Sequence, residues 1–218
     1  MPPMLVHSST LGIPLFSQEL ELSARTISWF PLALVLGNAI FQFPAARLGD
    51  RFGRKRIFAT GLLITAGASA LGALSTVGWE IIACRFFQGI GNAFTFATGV
   101  ALIVDIATDS QRARMLGLYT AACYLGITSG PLLGGTIIQY LGWRAVFYLP
   151  VPCLLLTALV CFNVLNWESY GERSRRFDFV GMLTYGIAIC CIAPALQSIA
   201  ASGSSLILAI GVLFLAGF

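Results

Sequence analysis

Leu48-Gly49-Asp50-Arg51-Phe52-Gly53-Arg54-Lys55-Arg56 decides how the rest of this 218-residue chain is read. From Arg47 to Arg56 stand five basic residues (Arg47, Arg51, Arg54, Lys55 and Arg56) against one acid, Asp50. The apolar stretches on either side, about residues 27–46 and 57–74, carry no charge. Each has the roughly 20-residue length that crosses about 30 Å of hydrocarbon as a helix. The cluster between them therefore belongs at a headgroup surface, and its excess of Arg and Lys puts that surface on the cytoplasmic side.

Composition agrees with a chain that lives in a bilayer. Hydrophobic residues make up 57% and charged residues only 10%, against about 25% charged in soluble domains; mean hydropathy is +0.85. The fold class is all-α, a polytopic, multi-pass integral membrane protein. Outward from the cluster, residues 1–16 read as the outer end of a first helix, followed by a polar outer loop with Gln18, Glu19, Glu21 and Arg25. Further helices are expected at about 27–46, 57–74, 77–104, 115–139, 145–165 and 179–199, with an eighth from about 205 to Phe218. The first lacks its beginning and the eighth its end, so the chain reads as a fragment. It divides into a six-helix unit (1–166), a cytoplasmic loop (167–178) and an incomplete helix pair (179–218).

Basic residues alternate with loop parity. Ten of the 13 fall in the connections between helices two and three, four and five, and six and seven; Arg25 and Arg144 lie in the opposite connections and Arg85 inside the fourth helix. This asymmetry orients the amino terminus to the cytoplasm.

Arg85 sits about eight residues into the fourth helix, roughly 12 Å deep at 1.5 Å per residue. A guanidinium at that depth costs several kcal/mol unless it meets water or a partner, so it reads as functional. Gln88 and Asn92 follow at three and seven residues and share its face. Asn38 and Gln42 form a similar pair on the second helix. For these amides two readings stand side by side: interhelical hydrogen bonds, or the lining of a substrate and proton pathway. On the fifth helix Ala122, Gly126, Gly130 and Gly134 recur every four residues, with Pro131 and Gly135 beside them. Small residues at that spacing form a groove for another helix, and Pro131 removes a backbone hydrogen bond.

Several chemistries are set aside. Gly89-Ile90-Gly91-Asn92 follows no strand and is no dinucleotide fingerprint, and no GxxxxGK[ST] occurs. The six cysteines lie inside apolar segments without a CxxC pair, and His7 is the single histidine. No enzyme, metal, cofactor or nucleic-acid partner is expected; the partner of the surface is the lipid bilayer.

Three motifs together resemble the major facilitator superfamily. Leu48 to Arg56 resembles its signature loop between the second and third helices, and Arg85-Phe86-Phe87-Gln88-Gly89-Ile90-Gly91 its fourth-helix RxxQGxG. Gly126-Ile127-Thr128-Ser129-Gly130-Pro131-Leu132-Leu133-Gly134-Gly135 is similar to the GxxxGPxxGG of its proton-coupled antiporters. Arg176 to Gly181 and the helix after it resemble the extra central pair of fourteen-helix drug:proton antiporters of the fungal type. The resemblance implies a six-helix amino-terminal half that exports small organic compounds in exchange for protons, together with a missing carboxy-terminal half. It implies a conformational latch of Asp50, Arg51, Gly53 and Arg54, with Asp50 near a helix amino terminus and Arg54 reaching Asp105 or, failing that, Asp109. Arg85 would face a central cavity, and the groove of the fifth helix would pack against the second half. Two positions depart from the pattern: Ala46 stands where the loop motif has glycine, and Leu5 where such antiporters often carry a first-helix acid.

Rival readings are an uptake carrier for sugars or organic anions, a half-transporter that binds a partner without transporting, and a seven-helix receptor. The drug-exporter resemblance points to the plasma membrane.

Overall fold

Charge does not end these helices. In the computed structural model, which describes residues 11–164, 168–171, 179–197, 210, 211 and 214, helix α2 (Ala24–Phe52) runs on past Ala46 through Arg47, Asp50 and Arg51. α1 (Ile13–Glu19) precedes it. The expected basic loop shrinks to Gly53, after which α3 (Arg54–Leu74) starts at once. The reason is that a helix satisfies its own backbone groups while long basic side chains reach the water, so hydropathy marks the edge of the hydrocarbon and not the helix end. Gly53 turns the chain with φ +108, a conformation that costs any other residue a steric penalty.

The same correction applies downstream. α4 (Gly78–Ile106) and α5 (Asp109–Leu141) are separated only by Ala107 and Thr108 where a ten-residue loop was expected. The turn expected over 140–144 is Gly142 alone, and the sixth helix is divided at Leu149 into α6 (Trp143–Tyr148) and α7 (Pro150–Val164). Pro150 lacks the N–H that would continue the ladder. α8 (Phe179–Gln197) follows. The expected eighth helix, apart from Ile210, Gly211 and Phe214, lies outside the described residues, as do Leu5, Arg173, Arg175 and Arg176. Among the described residues five stretches, 26–52, 54–74, 78–106, 109–141 and 143–164, are long and apolar enough to cross a membrane.

α4 is the axis of the bundle, held between α2 and α3, and its two glycines show why. Residues two apart on a helix point about 200° from each other. A Cβ on Gly89 would fall on the Leu34 carbonyl oxygen and 2.8 Å from the Asn38 nitrogen of α2. One on Gly91 would fall on Thr65 Oγ1 and 2.6 Å from the Gly61 carbonyl oxygen of α3. Lipid offers no hydrophobic drive between helices, so such backbone approach supplies the packing. At the end away from the basic corner, Phe16, Phe30, Ala73, Ile81, Trp143 and Phe147 form an apolar cluster. Leu62 and Ala66 pack on Leu154 and Ala158, joining α3 to α7. α8 lies along α2, with the Phe43 and Tyr185 rings 4.9 Å apart.

Candidate functional site

Because α2 continues to Phe52 and α3 begins at Arg54, Asp50 and Arg54 stand one turn apart around the Gly53 corner. α4 comes close there: a Cβ on Gly49 would sit 2.6 Å from Thr98 Cγ2. Arg54 Nη1 donates to both Asp105 oxygens, at 2.8 and 2.7 Å, while its Nε and Nη2 donate to Asp50 Oδ1 at 3.1 and 2.8 Å. One guanidinium thus ties the end of α2, the start of α3 and the end of α4 with charge-assisted bonds, the stronger kind. Asp109 pairs instead with Arg112 at 3.3 Å. Arg51 points away, exposed, with its guanidinium 5.5 Å from the centre of the Phe52 ring.

Residues 168–171, absent from every sequence argument about this corner, are seated on it. The Arg54 backbone N–H donates to the Ser169 carbonyl at 2.9 Å and the Gly171 N–H to the Asp50 carbonyl at 3.2 Å. The Ser169 hydroxyl donates to Asp105. Glu168 accepts from the Arg56 N–H at 3.2 Å and pairs with its guanidinium at 3.4 Å. Lys55 Nζ donates to the Phe162 carbonyl at 3.1 Å, tying α3 to α7.

The polar stripe of α4 faces inward. Arg85 is only 3% exposed, and Gln88 and Asn92 are also buried. Arg85 Nη1 donates to Gln88 Oε1 at 3.0 Å, and Gln88 Nε2 to the Ser69 hydroxyl of α3 at 2.9 Å. The guanidinium lies between the rings of Phe30 (4.2 Å to the centroid) and Phe147 (5.0 Å), both in cation–π range. Arg85 Nε and Nη2 and Asn92 Oδ1 have no hydrogen-bond partner among the described residues. Asn38 and Gln42 are half-buried on α2, and the stripe's hydrogen bonds do not reach them.

At the other end of the bundle, Glu19 clasps α1 to α6. It accepts from Trp143 Nε1 at 2.6 Å and Arg144 Nη1 at 2.5 Å. The Trp143 bond first, and the Arg144 bond second, hold its carboxyl below the ordinary value of 4.5. A depressed carboxyl stabilises the fold above its unfolded pKa, and that contribution disappears as pH falls through the folded value. Acidification through the lowered range of this carboxyl, below that of an ordinary glutamate, should therefore open this clasp. Tryptophan fluorescence should report a transition there that Glu19→Ala lacks; an identical acid titration in both proteins would mean that the clasp carries no such linkage.

On α5 the small-residue stripe is uneven. Gly130 and Gly134 are buried, Gly126 and Gly135 are half-buried, and Ala122 and Pro131 are exposed. The helix continues unbroken through Pro131. Tyr124, Leu125, Leu132 and Tyr140 are 66% to 80% exposed, which leaves much of α5 uncovered.

A family model described as the Major Facilitator Superfamily matches residues 6–176. The chain belongs to that superfamily. It is 33% identical over 183 residues to the multidrug resistance protein Stp of Mycobacterium tuberculosis, covering 82% of this chain and 33% of that protein. With the MFS efflux transporter aclA of Aspergillus oryzae it shares 32% over 203 residues, covering 88% and 35%, and with citrate exporter 1 of Yarrowia lipolytica 29% over 199, covering 89% and 29%. This facilitator chain thus spans about a third of the length of these relatives. A bacterial homologue of the human lysosomal transporter Spinster, solved inward-facing and unoccupied, superposes with a TM-score of 0.60 at 17% identity, covering 96% of this chain and 56% of that one. The fold is therefore shared with that transporter, and the members of the superfamily are transporters, not enzymes.

Proposed function

We propose that this chain is the amino-terminal half of a secondary transporter that exports small organic compounds by alternating access, in exchange for protons. The observation that carries this reading is Arg54 held between Asp50 and Asp105. Ion pairs that join the ends of three helices are a two-state contact: made in one arrangement and broken in the other, they bias which side of the membrane is open. Arg85 is the charge in the pathway, with the N–H groups of Nε and Nη2 unpartnered among the described residues and so available to an anionic substrate group or able to lower the pKa of a carboxylate brought near them. Gln88, Asn92, Asn38 and Gln42 extend that pathway along α4 and α2. The stripe from Gly126 to Gly135 docks the carboxy-terminal half, since facilitator substrate sites lie near the midplane between two halves. The named activities of the relatives favour export, and the loop charges favour a cytoplasmic amino terminus in the plasma membrane.

Everted vesicles carrying the complete transporter should accumulate ethidium or citrate when a proton gradient is imposed, and nigericin should abolish the uptake. Vesicles carrying only the 218-residue chain should accumulate neither. Uptake by the complete protein that ignores nigericin would remove proton coupling; no gradient-driven uptake of any probe, with import in right-side-out vesicles, would overturn export.

A further inference from the structure

α3 starts without a cap of its own. Gly53, at its N-cap position, has no side chain to accept a bond, yet the first N–H groups of any helix lack intrahelical partners. Two of them find acceptors more than 110 residues away in sequence. The Ser169 carbonyl takes the Arg54 N–H, and the Glu168 carboxylate takes the Arg56 N–H. An anionic carboxylate is also what the positive end of a helix dipole favours. The same four residues touch both acids of the corner, through the Ser169 hydroxyl on Asp105 and the Gly171 N–H on the Asp50 carbonyl. The fit leaves no slack: a Cβ on Gly171 would land on the Asp50 carboxylate and 2.7 Å from its Cβ, and one on Gly53 would lie 2.5 Å from Glu168 Cδ.

We infer that residues 168–171 are a strap that caps α3 from a distant part of the same chain and locks the Asp50–Arg54–Asp105 corner, so that withdrawing these four residues releases the corner. Whatever moves residues 168–171 holds a handle on the charged corner. Seated, the strap supplies two acceptors to α3 and a hydroxyl donor to Asp105; withdrawn, it leaves α3 uncapped and Arg54 without the partners' fixed positions. The inference builds on the reading of this corner as a conformational latch. Its test needs no flux, so it fails or stands separately from transport.

Amide hydrogen exchange of the 218-residue chain in lipid nanodiscs tests it. Gly171→Ala should raise exchange at Arg54 and Arg56 by about tenfold, as an opened local unit does, while protection within α4 stays as in the unaltered chain. Gly117→Ala, where an added Cβ meets nothing within 4 Å, should change nothing. Coupling is reciprocal, so Asp105→Asn should raise exchange across 168–171 by a comparable factor. Ser169→Ala adds no bulk and should raise exchange at the same α3 amides by less; it decides the matter if Gly171→Ala loosens α4 as well. Unchanged exchange at Arg54 and Arg56 in the strap variants, or an unmoved strap in Asp105→Asn, would overturn the inference.

Discussion

Gly91→Ala is expected to break the bundle apart at α3 and α4, although alanine is the better helix former by about 1 kcal/mol. The new Cβ would land on Thr65 Oγ1, 2.6 Å from the Gly61 carbonyl oxygen and 2.8 Å from the Thr65 nitrogen. Two of those three atoms are backbone, so no rotamer change relieves the clash, and α3 has to move away from α4. Overpacking costs about 1–3 kcal/mol and more where backbone must shift, which outweighs the propensity gain. At about 2–4 °C per kcal/mol for a chain of this size, the unfolding midpoint in detergent should fall by roughly 5–10 °C, or folded protein should not be recovered. Gly117→Ala, on an open face of α5, receives the propensity gain without the clash and should be neutral or slightly stabilising. Adding Thr65→Ala to Gly91→Ala should rescue little, because the two backbone contacts remain. Equal midpoints for Gly91→Ala and Gly117→Ala would show that α3 and α4 are not in backbone contact.

What was legible beforehand follows from which physical forces write locally in a sequence. Bilayer thickness acts on every spanning segment, so uncharged runs about 20 residues long mark the spans without any knowledge of contacts. The all-α, multi-pass fold could be read that way. Helix ends could not, since Arg47 and Arg51 are compatible with both loop and helix at a headgroup surface; only the φ of Gly53 locates the break. Within the charged corner, Asp50 and Arg54 are four residues apart and face each other as neighbouring turns do. Arg54 meets Asp105, the acid the resemblance put ahead of Asp109, because α2 and α4 cross closely where Gly37, Gly49 and Gly89 permit it. Glu168 and Ser169 gave no signal, because a cap delivered from another part of the chain has no fixed spacing from the helix it serves. The same holds for Glu19 with Trp143, and for the rings of Phe30 and Phe147 around Arg85: each residue is unremarkable in its own segment and acquires its role from helix packing.

Arg85→Met should separate stability from transport and move them in opposite directions. Arg85 is 3% exposed, and among the described residues its guanidinium has one hydrogen bond, to Gln88, with Nε and Nη2 left without partners. Its stabilising contacts are that bond and two cation–π faces, the latter worth about 2 kcal/mol or somewhat more when desolvated. Against them stands the cost of holding a charge out of water with its donors unmet, several kcal/mol even after relaxation. Methionine fills much of the same volume between Phe30 and Phe147 at no charge cost, so the chain should be as stable as before or more stable by about 1–3 kcal/mol. Transport by the complete protein should nevertheless fall by roughly 30-fold or more, because losing one partner of a desolvated charge contact costs about 2–5 kcal/mol. Arg85→Lys keeps the charge but loses the planar fork that stacks between two rings and reaches Gln88 while presenting the N–H groups of Nε and Nη2; it should not restore transport. The paired measurement distinguishes the roles. A residue kept to glue helices would destabilise the bundle when replaced and affect flux only through the amount of folded protein. A residue kept for what enters the pathway would leave a stable, well-folded and inactive transporter, and its unmet N–H groups are the reason to expect the second result.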